Sequence, residues 1–348
     1  MKKAIYSLGL GAIGGAVGAY LNIPLGWLLG AMVANIVASM QGASLAVPQW
    51  LRSIAFIALG AMLGTAFSPE LLDRIHRWTV TMAGMVCYLA IAIPCAFFYG
   101  RKVTGFDKLT AAFSSIPGGL GVMVMLGASA GANPRTTALA HTARLATILM
   151  VLPFLLHQLI GVDLDMTVAA NRPIASITLT NAGLFISLAA LGSLIAKALH
   201  LPSPYLLGPL ILVASTQVTD LTDLAMPIVF INVTQVIIGA GIGTAFSGAK
   251  PYELFKTFML SSGLTLLLLA LVILFAYVNN VWTGIGFAAL LLAFVPGGLA
   301  EIGMIALILN IDPVFVASHH AVRVLLITVT VPLLASRWLK RQERRGQK

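Results

Sequence analysis

Apolar runs long enough to cross a membrane follow one another along almost the whole chain, separated by short polar stretches. In the first half, these runs cover residues 4–20, 24–40, 51–67, 78–99, 109–132 and 136–159. A helix of about 20 residues spans roughly 30 Å, which is the thickness of the hydrocarbon core of a bilayer. Because no remaining stretch is long enough for a soluble domain, the pattern predicts an all-α polytopic membrane protein. Its partner is then the lipid bilayer in which it is embedded.

The second half of the chain repeats the first at a nearly constant spacing. Residues 113–123 read FSSIPGGLGVM and residues 292–302 read LAFVPGGLAEI, so Pro117 pairs with Pro296. The same spacing separates two copies of GTAFS, which begin at Gly64 and Gly243. Because a register held along most of a chain is typical of duplication, we predict two homologous repeats.

The duplication predicts a first membrane repeat at residues 1–172, a second at residues 173–336 and a basic cytoplasmic tail at residues 337–348. Residues 4–20 resemble a signal peptide, since a basic start precedes an apolar core. Their counterpart lies near residues 182–198, deep inside the chain where no signal could be cleaved. We therefore expect residues 4–20 to be retained as a helix.

One apolar segment in each repeat carries Pro-Gly-Gly near its middle. The motifs are Pro117, Gly118 and Gly119 in the first repeat and Pro296, Gly297 and Gly298 in the second. Proline removes a backbone donor and glycine adds conformational freedom, so a continuous helix is not expected there. The segment either crosses the membrane as a broken helix or turns at the motif and leaves on the side where it entered. About five transmembrane helices accompany it in each repeat.

The charges of the loops indicate how the repeats are oriented. The loop at Arg101 and Lys102 is basic, whereas its counterpart around Asn280 carries no charge. The first repeat ends near Asp163 and Asp165, whereas the second ends in the basic tail. Basic flanks stay in the cytoplasm, so this pattern favours inverted repeats with re-entrant tips in a bacterial inner membrane, with both termini cytoplasmic. Six parallel crossings in each repeat are the alternative.

The composition fits a chain dissolved in lipid, with 59% hydrophobic and only 9% charged residues. Much of the formal net charge of +10 lies in short tails and loops, so we expect no nucleic-acid partner, with a DNA-binding tail as the alternative. Cys87 and Cys95 lie within one apolar run, which argues against a disulfide framework or a metal cluster. No metal and no cofactor are predicted.

The Pro-Gly-Gly tips are candidate substrate-binding sites. Each tip starts a new half-helix near the middle of the membrane, and the free N–H groups of a helix N-terminus bind anions. Broken segments at matching positions in two halves are a pointer to the binding site of a transporter. The alternative is a kink that serves only helix packing.

A His-x-x-Arg pair follows each tip on the next helix, as His141 with Arg144 and as His320 with Arg323. A separation of three residues puts each pair on one face of its helix. Arginine at membrane depth is costly unless it is paired or hydrated, so it usually faces the interior of a bundle. These side chains either contact the substrate or clamp the carbonyl groups that are freed at the tips.

Two further candidates break the repeat. Glu301 follows the second tip, where the first repeat has Val122, and His319 stands where the first repeat has Ala140. Both are candidates for a coupling-ion site. A buried carboxylate such as Glu301 can titrate near neutral pH, and His319 is included because it also lacks a counterpart in the first repeat. The alternative for Glu301 is a carboxylate that caps its half-helix or pairs with an arginine.

The duplicated Pro-Gly-Gly-Leu segment followed by His-x-x-Arg resembles the AbrB family of bacterial membrane proteins, over essentially the whole chain. The resemblance implies an inner-membrane protein. The labels attached to this family are regulation of gene expression and ammonia monooxygenase. The second label requires copper or iron ligands, and the sequence shows no pattern of this kind.

We therefore expect a secondary transporter for a small anionic metabolite, coupled to protons or Na⁺, and not an enzyme. The first alternative is a membrane-embedded regulator or sensor that affects gene expression, and the second is a membrane enzyme. Assembly as a homodimer is an option that the sequence leaves open.

Overall fold

The computed structural model describes residues 2–71, 75–161, 179–222, 228–248 and 251–346. Within these ranges the chain forms fourteen α-helices, two short 3₁₀ turns and no strand, so the all-helical prediction is confirmed. The helices of the first half are α1 Lys2–Tyr20, α2 Gly26–Met40, α3 Gln49–Gly64, α4 Trp78–Lys102, α5 Lys108–Ser115, α6 Leu120–Ala130 and α7 Pro134–Ile160. The helices of the second half are α8 Leu179–Ala198, α9 Pro204–Val218, α10 Ile228–Thr244, α11 Pro251–Thr283, α12 Phe287–Phe294, α13 Leu299–Ile308 and α14 Pro313–Gly346.

Five of these helices, α4, α7, α8, α11 and α14, are long and apolar enough to cross a membrane. Large apolar side chains point outward along several helices; Phe98 of α4 is 58% exposed and Leu194 of α8 is 64% exposed. Lipid tails solvate such side chains, whereas water would not. The described helices are therefore those of a multi-pass membrane protein.

The turn between α6 and α7 shows how the sequence ends one helix and begins the next. Gly131 ends α6 with a φ of 96°, a left-handed conformation that glycine adopts without strain. The Asn133 side chain then accepts a hydrogen bond at 3.0 Å from the backbone N–H three residues further on. Pro134 fills the first position of α7, where no N–H is needed.

Glycines allow helices of the two halves to approach closely. Gly60 of α3 packs against the carbonyl oxygen of Leu206 on α9, and Gly64 packs against Val213 further along both helices. Because the contacts advance in the same direction along the two helices, α3 and α9 run parallel. The glycines of α10 pack against α2 in the same manner, so α2 and α10 are also parallel.

Helices α4 and α11 occupy corresponding places in the two halves of the sequence and cross in opposite directions. Gly84 near the start of α4 lies against the side chain of Asn279 near the end of α11. Gly263 in the first half of α11 lies against the hydroxyl of Tyr99 near the end of α4. The two contacts run in opposite order along the two helices, so α4 and α11 are antiparallel.

Loop contacts identify which helix ends lie together. The loop between α2 and α3 donates two backbone hydrogen bonds, each of 3.1 Å, to Ser7 near the start of α1 and to Ser247 just after α10. Arg135 at the start of α7 donates to the carbonyl oxygen of Gly248, also just after α10, at 3.2 Å. The start of α1, the end of α10 and the start of α7 are therefore at one end of the bundle.

Lysines collect at this end, which we call the basic end. The helix directions bring together Lys2, Lys3, Lys102, Lys108 and Lys197. Lys197 belongs here because α8 precedes α9 through a short turn and α9 runs parallel to α3, which begins at the same end. The opposite end carries the acidic side chains of Glu70, Asp220 and Asp312.

Candidate functional site

Each Pro-Gly-Gly segment is a helical hairpin and not a continuous helix. In the first hairpin, the backbone N–H of Asn133 after α6 donates to the Thr110 hydroxyl near the start of α5, at 2.8 Å. Closer to the tip, Gly127 of α6 packs against the ring of Phe113 on α5. The half-helices α5 and α6 are therefore antiparallel, and the chain reverses at Pro117, which is the geometry of the re-entrant alternative.

The second hairpin has the same form. His320 and Arg323 of α14 bond to the carbonyl oxygens of Leu292 and Val295 in turn, so α12 and α14 run parallel. Helix α13 returns to α14 through a short turn and is antiparallel to it. Helices α12 and α13 consequently form a hairpin with its tip at Pro296.

Helix α7 passes the first tip and holds it with a histidine and an arginine. The Nε2 atom of His141 lies 2.9 Å from the carbonyl oxygen of Phe113, at the end of α5. Arg144 donates from Nη1 to the carbonyl oxygen of Ser114 at 3.3 Å. Its Nη2 lies 2.8 Å from Nδ1 of His141, so the two side chains act as one unit.

Helix α14 holds the second tip with the equivalent pair. Arg323 donates from Nη1 to the carbonyl oxygen of Val295 at 2.6 Å and from Nη2 to the carbonyl oxygen of Gly297. The same Nη2 lies 2.8 Å from Nδ1 of His320, whose Nε2 lies 2.9 Å from the carbonyl oxygen of Leu292. Arg323 is only 1% exposed, and no other side chain of its size is so deeply buried in the described ranges.

These contacts define the protonation state of both histidines. A carbonyl oxygen only accepts and a guanidinium only donates, so Nε2 must carry the proton and Nδ1 must be the acceptor. His141 and His320 are therefore neutral when they hold the arginines in this way. Each histidine fixes the orientation of its arginine without adding charge to the site.

The two arginines are buried cations without a carboxylate partner in the part of the chain that the structure describes. Their Nε atoms have no hydrogen-bond partner, and neither do the buried hydroxyls of Tyr88 and Ser114. Tyr88 interacts electrostatically with both arginines, which places these donors in one region between the hairpins. Unused donors of this kind cost about 1–3 kcal/mol each and are suited to an anion.

The two tips differ at the start of their second half-helix. Glu301 is the third residue of α13, and its carboxylate lies over Gly298, where an added Cβ would collide with it. A carboxylate in the first turn balances the partial positive charge of the helix N-terminus. The first tip has Val122 at this place, so no side chain of α6 occupies its N-terminus in this way.

Arg52 of α3 is the cation within electrostatic range of Glu301, which is 7% exposed. The carboxylate is therefore coupled to the first half of the chain through α3, and Arg323 is not its partner. This is the arrangement expected from the capping alternative for Glu301, with a charge partner that the sequence did not indicate.

His319 lies between α4 and the end of α12, where its ring is 6.4 Å from the ring of Phe294. Its Nδ1 lies 2.8 Å from the carbonyl oxygen of Phe315, and its Nε2 lies 2.9 Å from the hydroxyl of Thr81. Glu301 faces α3, so the two candidates for a coupling-ion site are on different sides of the second hairpin and make no hydrogen bond to each other in the described structure.

A cleft opens beside Arg144 toward the basic end of the bundle. Its inner part includes Arg144, Ser114 and Ser261, and its outer part includes Thr104 and Phe106 of the loop after α4. The carboxylate of Asp107 lies next to this rim. Partial burial raises the pKa of Asp107, but hydrogen bonds from Thr110 and Leu109 outweigh this effect and hold the pKa below its ordinary value.

Sequence reasoning found the tips and the His–Arg pairs but missed Arg52, Tyr88, Ser114 and Ser261. Arg52 and Tyr88 are polar groups within apolar runs, which is a usable signal. Ser114 and Ser261 gave none, because serine is common in membrane helices and usually bonds to its own backbone.

Residues 27–339 match the family described as "Transition state regulatory protein AbrB". An uncharacterized Bacillus subtilis 168 protein, YhjN, is 27% identical over 358 residues, which cover 95% of this chain and 92% of that protein. The Escherichia coli K12 protein named "Putative regulator AbrB" is 26% identical over 332 residues, which cover 90% of each chain.

The helices and the two hairpins define a multi-pass, all-helical membrane protein. The match over most of its length shows that the chain belongs to the AbrB family.

Proposed function

We propose that the protein is a secondary carrier that moves a small anionic metabolite across a bacterial inner membrane, coupled to protons or Na⁺. The observation that carries this proposal is the pair of buried arginines, Arg144 and Arg323. Each is held at a hairpin tip, keeps an unused Nε donor and has no carboxylate partner among the described residues. A buried cation is stabilised when an anion binds, so a binding site is the simplest reason for two such groups. In this proposal the protein transports its substrate without changing it chemically.

The proposal includes two inverted repeats, residues 1–172 and 173–336. It is supported by the antiparallel crossing of α4 and α11 and by the matching hydrogen bonds at the two hairpins. Left-handed backbone positions also recur at corresponding places in the two halves. The pairs are Asn22 and His200, Leu25 and Ser203, Gly105 and Gly284, and Gly131 and Asn310. One half could then rock against the other and expose the site to each side in turn.

The basic end is assigned to the cytoplasm in this proposal. Lysines flanking membrane helices are retained there, and the described lysines of the loops and termini collect at this end. Helix α14 begins at the opposite end, beside Trp78, and its direction brings the C-terminal residues 337–346 to the basic end. Both termini are then cytoplasmic.

Glu301 is the residue that we assign to the coupling ion. It is a buried carboxylate at the start of a half-helix, and it has no equivalent in the first half. Binding of a proton or Na⁺ there would weaken its attraction to Arg52 on α3 and so change the contact between the second hairpin and the first half.

Uptake by proteoliposomes tests the carrier function. The purified full-length protein is reconstituted and offered radiolabelled acetate, succinate or inorganic phosphate under an imposed proton or Na⁺ gradient. We expect uptake of at least one probe, with loss of uptake in both Arg144→Ala and Arg323→Ala. Thr330→Ala, which removes an exposed hydroxyl from α14, is the matched control and should transport normally. Full transport by both arginine variants would overturn the site, and no uptake of any probe by the unmodified protein would overturn the function.

A membrane-embedded regulator is the second candidate, and it is favoured by the name of the Escherichia coli relative. The end of α14 carries the basic residues that a partner could recognise, namely Arg337, Lys340, Arg341, Arg344 and Arg345. Deletion of residues 337–348 separates the two functions. A carrier keeps its uptake after this deletion, whereas a regulator that acts through the tail loses its effect on transcript levels.

A further inference from the structure

The two arginine sites differ in the space around them. The cleft at the basic end reaches Arg144, and small side chains line it, among them Ala96, Ser115 and Ala140. Arg144 is 5% exposed and Ser114 is 6% exposed, so both are more than nine-tenths buried. Arg144 and Ser114 both line the cleft, and the buried Nε atom of Arg144 and hydroxyl of Ser114 have no hydrogen-bond partner.

The corresponding space beside Arg323 is filled by larger side chains. In the register of the repeat, Ala96, Ser115 and Ala140 correspond to Phe275, Phe294 and His319. Phe294 and His319 are fully buried.

An aromatic cluster occupies this position. The ring of Tyr88 lies 5.7 Å from the ring of Phe275 and stacks at 6.4 Å on the ring of Phe294. The ring of Phe294 in turn lies 6.4 Å from the ring of His319. Aromatic rings at these distances attract one another, so a stable group made of Tyr88 and side chains of the second half fills the space beside the second tip.

The hydroxyl donors that line the Arg144 cleft are also missing at the equivalent positions beside Arg323. Ser114 corresponds to Ala293, and Ser261 corresponds to Met82. Arg323 compensates by bonding more fully to its own hairpin, through the carbonyl oxygens of both Val295 and Gly297. Arg144 at the first tip therefore has two hydroxyls in its cleft, Ser114 of α5 and Ser261 of α11, whereas neither hydroxyl is present at the equivalent positions beside Arg323.

We infer that the Arg144 cleft binds the carboxylate group of a small monocarboxylate that arrives from the basic end, while Arg323 positions the second hairpin. One guanidinium balances one negative charge, and a carboxylate can accept hydrogen bonds from Arg144, Ser114 and Ser261 together. Leu264 and Ala96 give the same cleft an apolar wall. This inference rests on the proposed carrier function and names its substrate class.

The rim of the cleft supports entry of an anion from this end. Arg101 donates to the carbonyl oxygen of Phe106 at 2.7 Å and so lies directly at the rim. Lys102 and Lys108 are exposed beside it, and Asp107 is the acidic side chain of the same loop. Three cations against one carboxylate leave a positive rim, which raises the local concentration of anions.

Cysteine substitution at equivalent positions tests the difference between the halves. In full-length protein carrying Cys87→Ala and Cys95→Ala, Ser261→Cys is compared with Met82→Cys. A methanethiosulfonate reagent bearing a sulfonate group is applied to the purified protein in detergent. We expect Ser261→Cys to react at least tenfold faster than Met82→Cys, because Ser261 lines the cleft whereas Met82 packs against the hydrophobic core. Similar rates at the two positions would overturn the one-sided cleft.

Protection by a ligand tests the substrate class. Sodium acetate or butyrate is expected to slow the reaction of Ser261→Cys at least fivefold, whereas sodium chloride at equal ionic strength is not. Ser129→Cys, on the exposed face of α6 outside the cleft, should react at the same rate with and without acetate. Absence of protection by either carboxylate, or stronger protection by inorganic phosphate, overturns the monocarboxylate.

The outcome can be separated from that of the uptake experiment. Protection by acetate without uptake of any carboxylate would support the binding site in the cleft and overturn the proposed carrier function. Uptake without protection leaves the carrier in place and removes the cleft as its binding site.

Discussion

Arg323 holds the second hairpin through three acceptors, the carbonyl oxygens of Val295 and Gly297 and the Nδ1 atom of His320. Replacement by methionine removes the donors while keeping an unbranched side chain of similar length. Each acceptor that is left buried without a partner costs about 1–3 kcal/mol. The carbonyl oxygen of Val295 keeps a hydrogen bond from the backbone N–H of Gly297, so Arg323→Met leaves two acceptors without a partner. The variant therefore loses roughly 2–6 kcal/mol from this source, before the relief of removing a buried charge is counted.

Arg144→Met provides the comparison. Arg144 donates to only two acceptors, the carbonyl oxygen of Ser114 and the Nδ1 atom of His141. Both arginines are buried cations at matching positions, so the relief of removing the charge is similar and cancels in the difference. We expect Arg323→Met to lower the free energy of unfolding by about 1.5–3 kcal/mol more than Arg144→Met does, because it also loses the charged hydrogen bond to the Val295 carbonyl oxygen.

Reversible unfolding of the full-length protein by SDS in mixed micelles measures this difference. Thr330→Ala on α14 is the control, since its hydroxyl is exposed, and it should change the free energy of unfolding by no more than about 0.5 kcal/mol. Equal losses in the two arginine variants, or a larger loss in Arg144→Met, would refute the reasoning from acceptors.

Three further predictions concern other parts of the molecule. Gly60→Ala is expected to lower the free energy of unfolding by about 1–3 kcal/mol, because its Cβ would collide with a backbone oxygen of α9. Gly9→Ala has open space around the added Cβ and should not lower it, and unfolding in SDS compares the two variants. Glu301→Gln is expected to keep ligand protection of the cleft but to make uptake independent of the imposed ion gradient; a normal gradient dependence in proteoliposomes would remove Glu301 from the coupling. Asp107→Ala is expected to destabilise the start of α5 at pH 7. Because the pKa of Asp107 is lowered in the folded protein, this carboxylate contributes fully to stability above the ordinary carboxyl pKa of about 3.9. The contribution is lost as the pH falls through the pKa of the folded protein. Thermal melting compared across pH should therefore show the variant and the unmodified protein converging in acid.

The sequence predicted the helical fold and the position of the two hairpins. Pro117 and Pro296 predicted a break in the helix at each motif. The His–Arg pairs were expected to clamp the tips or to contact a substrate. The clamp is present at both tips, through Arg144 and Arg323. These features are local in the chain, so spacing and residue type were sufficient to find them.

The environment of the site could not be predicted in the same way. The cation within electrostatic range of Glu301 is Arg52, which lies in the other half of the chain. The filling of the space beside the second tip depends on Tyr88 of the first half. Such contacts depend on which helices cross and in which direction. Periodicity within one helix carries no information about the face of another helix that it meets.

The parallel and antiparallel contacts between the halves also determine when the protein can fold. Gly60 meets α9, and Gly84 meets α11, so α3 and α4 must wait for segments that are made only in the second half of synthesis. Until then Arg52 and Arg144 stand in the first half without Glu301 and without the second hairpin. The first half is therefore a poor candidate for a stable fragment, because pairs such as α1 with α2 can form early whereas the contacts of α3 and α4 with the second half cannot.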